Sequence, residues 1–227
     1  MIREGKLITT IIGSLTRRAP HRRALCLVAL ALLLIVLVAA GSTWTGFGFD
    51  ARGPEMRRIR EVLALEAGMT IADIGAGKGE LSSALASAVG IHGRIFATDV
   101  DRTRVEALND KFRRETLTNV VVVEGGTSDT RLPRACCDAI VVRRVYHHLT
   151  DTAAMNASVF RALRPDGVLA IIDFAPPVFL GRGEFGVPAK VVIDEVTGSG
   201  FELLRLIDDW PGRGPMGSYC VLFRKPL

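Results

Sequence analysis

Residues 70–80 read TIADIGAGKGE. Thr70 to Ile74 has strand character and runs into Gly75, Gly77 and Gly79. A helix follows at about 79–89, where Leu81, Ala84, Leu85, Ala88 and Val89 repeat at helical spacing. A strand that turns through glycine into a helix lets backbone N–H groups approach a ligand closely. A dinucleotide fold wants GxGxxG, which would put its third glycine at position 80, and that residue is Glu80. The pattern is instead GxGxG, with Asp73 two residues before the first glycine. A carboxylate there repels a pyrophosphate and favours an ammonium group. A second carboxylate, Asp99, ends the next strand in RIFATDVDR and is placed to accept hydrogen bonds from two ribose hydroxyls.

Outward from this unit, strands are predicted at Arg94 to Thr98, Asn119 to Glu124, Asp138 to Val142 and Val168 to Asp173. Helices are predicted at Pro54 to Leu65, about 101–114, about 151–163 and about 188–199. This alternation defines an α/β fold, a doubly wound, mostly parallel seven-stranded sheet with helices on both faces. The apolar runs VVVV at 120–123 and AIVV at 139–142 predict strands buried on both sides. LRPDG at 163–167 reads as a turn before the fifth strand. Two last strands, Phe201 to Ile207 and Tyr219 to Phe223, are joined by DDWPGRGPMGS, too short for a helical crossover, so the final pair is expected to be antiparallel.

The charge balance narrows the partners. Residues 1–23 hold six of the 29 basic residues and one of the 24 acidic ones, so the whole net charge of +5 sits in that tail. The remainder is neutral and lacks the electrostatic footprint of a nucleic-acid binder. Cys26, Cys136, Cys137 and Cys220 form neither a disulfide framework nor a zinc spacing, and read as small buried side chains.

After the basic tail, residues 24–40 read ALCLVALALLLIVLVAA with no charge. Seventeen residues at about 1.5 Å each reach about 26 Å, close to a hydrocarbon core of about 30 Å. Two readings stay open. The segment is a transmembrane anchor, or it is a signal peptide cleaved after the small residues Val38-Ala39-Ala40. Residues 41–53 form a glycine-rich linker, and the soluble domain is expected at about 54–227.

The ordered set DIGAGKG (73–79), TDVD (98–101), DAIVVRRVYHHL (138–149), FRALRPDGVLAIID (160–173) and two terminal strands resembles the class I S-adenosylmethionine-dependent methyltransferases. The resemblance covers residues 54–227 and implies S-adenosyl-L-methionine as cofactor. By it, Asp73 with Gly75, Ala76, Gly77 and Gly79 holds the amino-acid end, Asp99 the ribose, and Val100 flanks the adenine. Relatives often place an acidic residue after the third strand, against the adenine amine. Here Glu124-Gly125-Gly126-Thr127-Ser128-Asp129 has glycine at that place, with Ser128 or Asp129 as substitutes.

Methyl transfer is an in-line displacement, so the protein has mainly to align the acceptor and exclude water, with no metal required. The side chains best placed follow the fourth strand: Arg144, Tyr146, His147 and His148. Either histidine could serve as general base; shaping the turn is the alternative role for both. Asp173 is a candidate substrate contact, and Gly181 to Pro188 is expected to cross over the substrate pocket. The absence of an NPPY-like motif disfavours DNA bases and protein glutamine as acceptors.

These residues together suggest a membrane-associated methyltransferase acting on a small or lipid-like molecule. The alternative is a non-catalytic cofactor- or nucleoside-binding protein that keeps the fold. A nicotinamide-dependent oxidoreductase fails on Glu80 and Asp73. The expected topology is a single-pass anchor with the domain facing the cytoplasm, where S-adenosylmethionine is made. The alternative is export after cleavage near Ala40.

Overall fold

The computed structural model describes residues 49–176, 182–183, 186–211 and 217–227. The basic tail, the apolar segment at 24–40 and most of the linker lie outside them, as does part of the 181–188 crossover. The chain divides into two compact units, Met1–Phe47 and Gly48–Leu227, and the second carries the fold described here.

β1 (Thr70–Ile74) lies mid-sheet because its residues suit burial on both faces, with Ile71, Ala72 and Ile74 all buried. On one side it pairs with β2 (Arg94–Asp99), and β2 with β3 (Val120–Glu124). On the other side it pairs with β4 (Cys137–Arg143), and β4 with β5 (Leu163–Phe174). All of these pairings are parallel. β7 (Ser218–Arg224) inserts between β5 and β6 (Glu202–Ile207), antiparallel to both, giving the order β3-β2-β1-β4-β5-β7-β6. The short link before the last strand therefore has the predicted consequence. The order reverses between β1 and β4, the topological switch point where α/β sheets bind ligands at their carboxyl ends.

The helices are α1 (Pro54–Val62), α2 (Glu80–Val89), α3 (Arg102–Arg114), α4 (Thr152–Ala162) and α5 (Ala189–Thr197). Ile59 of α1 and Leu85 and Val89 of α2 pack with Ile71 and Ile95 in one core. Met155 and Val159 of α4 pack with Val192 and Val196 of α5, Ile140 and Ile171 in another. Each fully buried aliphatic side chain contributes about 1.5–3 kcal/mol. Asp101 caps α3, accepting from the backbone N–H of Thr103 and Arg104. Among the described residues no helix is long and apolar enough to cross a membrane.

Two local expectations are corrected. VVVV at 120–123 is not buried on both sides. It forms β3, the edge of the sheet, and Val121 is 40% exposed. The turn at 163–167 does not precede β5 but lies inside it, as a bulge. Cys137 pairs with Leu163 and Ala139 with Val168, and the intervening residues loop out with Asp166 at φ +64°. Cys136, Cys137 and Cys220 are free thiols, the last two buried.

Candidate active site

A cavity of about 400 Å³ opens at the switch point, over the carboxyl ends of β1, β2 and β4. Its lining is largely apolar, with Ile74, Val100, Val145, Leu149 and Met155, and its polar groups include Asp99, Thr127, Thr130 and His148. This is the composition of a small-molecule site, in which a few polar groups orient a ligand held by apolar contact.

Ile74 and Gly75, where β1 enters the glycine turn, line the cavity. Gly75 has φ +74°, and a Cβ there would stand 2.4 Å from Val145 Cγ2, so any other residue would force β1 and the β4 exit apart. Gly77 also has a left-handed φ, +55°, but the nearest atom to a Cβ at that position is 3.9 Å away. Gly77 itself lines a separate hollow with Lys78, Leu108 and Lys111, and its N–H reaches the cavity wall by donating to Asp99. Ala76 ties the turn to β2 through its N–H to the Thr98 carbonyl at 2.7 Å, and Gly79 starts α2.

Two carboxylates hold this turn from below and beside. Asp73 is buried and accepts from Ser82 Oγ in the first turn of α2 at 2.6 Å. Burial pushes its carboxyl up to about 6, opposed by the Ser82 hydrogen bond and the positive charge of Arg143. Asp73 thus acts beneath the loop, not on the cavity wall. Asp99 lines the cavity, accepting from Gly77 N at 3.0 Å through Oδ2 and from Asp101 N at 3.1 Å through Oδ1. Val100, 56% exposed, lines the cavity beside it.

After β3, Gly125, Gly126, Thr127 and Thr130 face the cavity. Ser128 and Asp129 are not among its lining residues. Asp129 accepts from Arg131 N at 2.7 Å and Ser158 Oγ at 3.1 Å, and pairs with Arg161 at 2.9 Å. The Arg131 N–H chiefly holds its carboxyl below the usual range. Thr127 and Thr130 escaped the sequence reading, because an uncharged hydroxyl in a loop carries no signal of its own.

At the end of β4 the four singled-out side chains separate. Tyr146 is buried, and its hydroxyl donates to Glu195 Oε2 at 3.0 Å and accepts from Asn156 Nδ2 at 2.9 Å. Burial pushes that phenol up. His147 is also buried. Its Nδ1 lies 2.7 Å from Asp173 Oδ1, and its backbone N–H donates to Asp173 Oδ2 at 3.0 Å. His148 lines the cavity, with its ring centroid 3.9 Å from that of His147. Asp173, 0% exposed, is occupied by His147 and by the Phe174 N–H at 2.8 Å, so it orients the turn where a substrate contact was expected. Arg143 is clamped bidentately by Glu55 of α1 at 2.9 and 2.7 Å.

The sheet order, the glycine turn and the cavity at the switch point together define a Rossmann-like domain. Residues 72–171 match the methyltransferase domain family. The ubiquinone/menaquinone biosynthesis C-methyltransferase UbiE of Vibrio vulnificus strain YJ016 is 28% identical over 113 residues, which are 49% of this chain and 44% of that protein. The match thus spans less than half of that relative. A SAM-dependent methyltransferase from Aquifex aeolicus superposes with a TM-score of 0.63 at 22% identity, covering 78% of this chain and 99% of its own. The [4+2]-cyclase SpnF superposes at 0.65 with 18% identity, covering 80% and 86%. The matched domain and these likenesses support a class I S-adenosylmethionine-dependent methyltransferase, and S-adenosyl-L-methionine is the cofactor that such a domain implies. The site fits that group: Gly75 of the glycine turn, the Asp99 carboxylate and the apolar side chain of Val100 all line the cavity.

Proposed function

We propose that the protein transfers a methyl group from S-adenosylmethionine to a small or lipid-like molecule at a membrane. The cavity of about 400 Å³, with Asp99 on its wall and His148 at the same space, is the observation that carries this reading. Bound there, S-adenosylmethionine supplies an electrophilic methyl group on a sulfonium. Asp99 would accept hydrogen bonds from the ribose, and Val100 would pack on the adenine with Thr127 or Thr130 as polar partner. Asp73 keeps a negative charge beneath the loop, which favours a cationic ligand. His147, fixed by Asp173, sets the turn that presents His148, and His148 takes a proton from the acceptor where one must leave. The relative's printed role favours carbon as the methylated atom and a quinone precursor as the acceptor.

Residues 24–40 fit a single-pass anchor with the domain facing the cytoplasm, which would bring an apolar acceptor within reach. The small residues before Gly41 favour a second localisation, export after cleavage near Ala40. A second functional reading is non-catalytic binding of the cofactor or a nucleoside. It is favoured by the commitment of Tyr146 and His147 to internal hydrogen bonds.

The test is incubation of the full chain in detergent with methyl-labelled S-adenosylmethionine and a membrane lipid extract. Label in the organic phase is expected. Cofactor binding without transfer would favour the second functional reading.

A further inference from the structure

Arg143 and Arg144 leave β4 side by side, and their guanidinium groups are treated differently. Arg143 has a complete partner in Glu55, bidentate at 2.9 and 2.7 Å. Arg144 has none: among the described residues, no carboxylate or carbonyl lies within hydrogen-bonding reach of its guanidinium. The group lies instead over the Phe174 ring at 5.2 Å from the centroid. Two carboxylates, those of Glu55 and Asp173, are near enough to act on it electrostatically. Both are already engaged. Glu55 binds Arg143 and accepts from Trp210 Nε1 at 3.3 Å, and Asp173 accepts three hydrogen bonds from His147 and Phe174.

The backbone holds Arg144 where it is at a cost. Its φ is +56°, left-handed space that favours glycine, and its N–H is tied to the Ile172 carbonyl at 2.7 Å. A half-buried guanidinium has five donors to satisfy and here also feels repulsion from Arg143, which with burial depresses its basicity. It stands at the ligand end of the sheet, one residue before the cavity-lining Val145 and beside a ring, Phe174, that also faces His147 at 5.9 Å.

We infer that Arg144 is a substrate-recognition residue and that the acceptor carries an anionic oxygen, a carboxylate or an ionised phenol, which the Arg144 fork receives against the Phe174 ring. Arginine matches such oxygens in a planar, two-point fashion that a lysine does not reproduce. The inference rests on the methyltransferase reading for the acceptor's presence, but its chemistry is read from Arg144 alone.

The test is calorimetric titration of the full chain with 2-naphthoate and with its neutral counterpart 2-naphthamide, each with and without S-adenosylhomocysteine. Arg144→Gly is the informative variant, because glycine is at ease at φ +56° and the fold is not put at risk; Arg144→Lys is its companion. At least tenfold tighter binding of the acid is expected in the wild type, equal binding of acid and amide in Arg144→Gly, and an intermediate ratio in Arg144→Lys. No preference for the acid in the wild type, or a preference that survives in Arg144→Gly, would overturn the inference. Failure to bind S-adenosylhomocysteine with the acid preference intact would instead count against the cofactor reading and leave Arg144 assigned.

Discussion

His147 and Asp173 share two hydrogen bonds, Nδ1 to Oδ1 at 2.7 Å and backbone N–H to Oδ2 at 3.0 Å, within the interior of the molecule. The pair joins the turn after β4 to the last residues of β5, so the position of His148 depends on a carboxylate that never meets the cavity. Asp173→Ala is expected to cost about 2–4 kcal/mol in urea unfolding, since it strands two buried donors. Turnover should fall in step with stability. Loss of turnover with stability intact would show that the pair acts directly on the reaction.

Gly75 and Val145 make a reciprocal pair. Gly75→Ala is expected to destabilise the chain by about 1–3 kcal/mol, because the new methyl group would meet Val145 Cγ2 at 2.4 Å. Adding Val145→Ala should restore part of the loss, leaving about 1 kcal/mol for a non-glycine residue in left-handed space. A double variant no more stable than Gly75→Ala would mean the clash is not the cause.

Asp73 predicts a pH dependence whose sign follows from its environment. Its carboxyl in the folded chain titrates near 6, above its ordinary value of 3.8, so the folded state binds the proton more tightly. The stability this confers is complete below about pH 4 and lost as pH rises through about 6. Asp73→Asn never carries the charge and still offers Ser82 an acceptor. It should therefore be more stable than the wild type at pH 7.5, by up to about 3 kcal/mol, with the difference vanishing near pH 4. Urea melts at the two pH values check this, and equal stability at pH 7.5 would contradict it.

The parts of the site that were legible in the sequence are the local ones. Strand, glycine turn, helix and the aspartate closing the next strand lie within thirty consecutive residues, 70–99, and each carries its own residue signature. Whatever depends on neighbours far along the chain was not legible. Val120 to Val123 looks like a central strand until the sheet order places it at an edge. Tyr146 and His147 look catalytic until Glu195, Asn156 and Asp173 arrive to engage them. Asp129 follows the same logic, drawn away by Arg161 and Ser158 from two positions along α4.

The central claim is that the cavity lined by Gly75 and by Asp99, whose carboxylate Gly77 N–H holds, receives the cofactor. It is tested most directly by calorimetric titration of the full chain with S-adenosylhomocysteine, comparing the wild type with Gly77→Val and with Asp99→Ala. A branched side chain at Gly77 would occupy space that is otherwise clear to 3.9 Å. The account predicts saturable binding to the wild type and a loss of about 1–3 kcal/mol in Asp99→Ala. It predicts no binding to Gly77→Val, whose circular dichroism spectrum remains that of the folded chain. Undiminished affinity in Gly77→Val would contradict it.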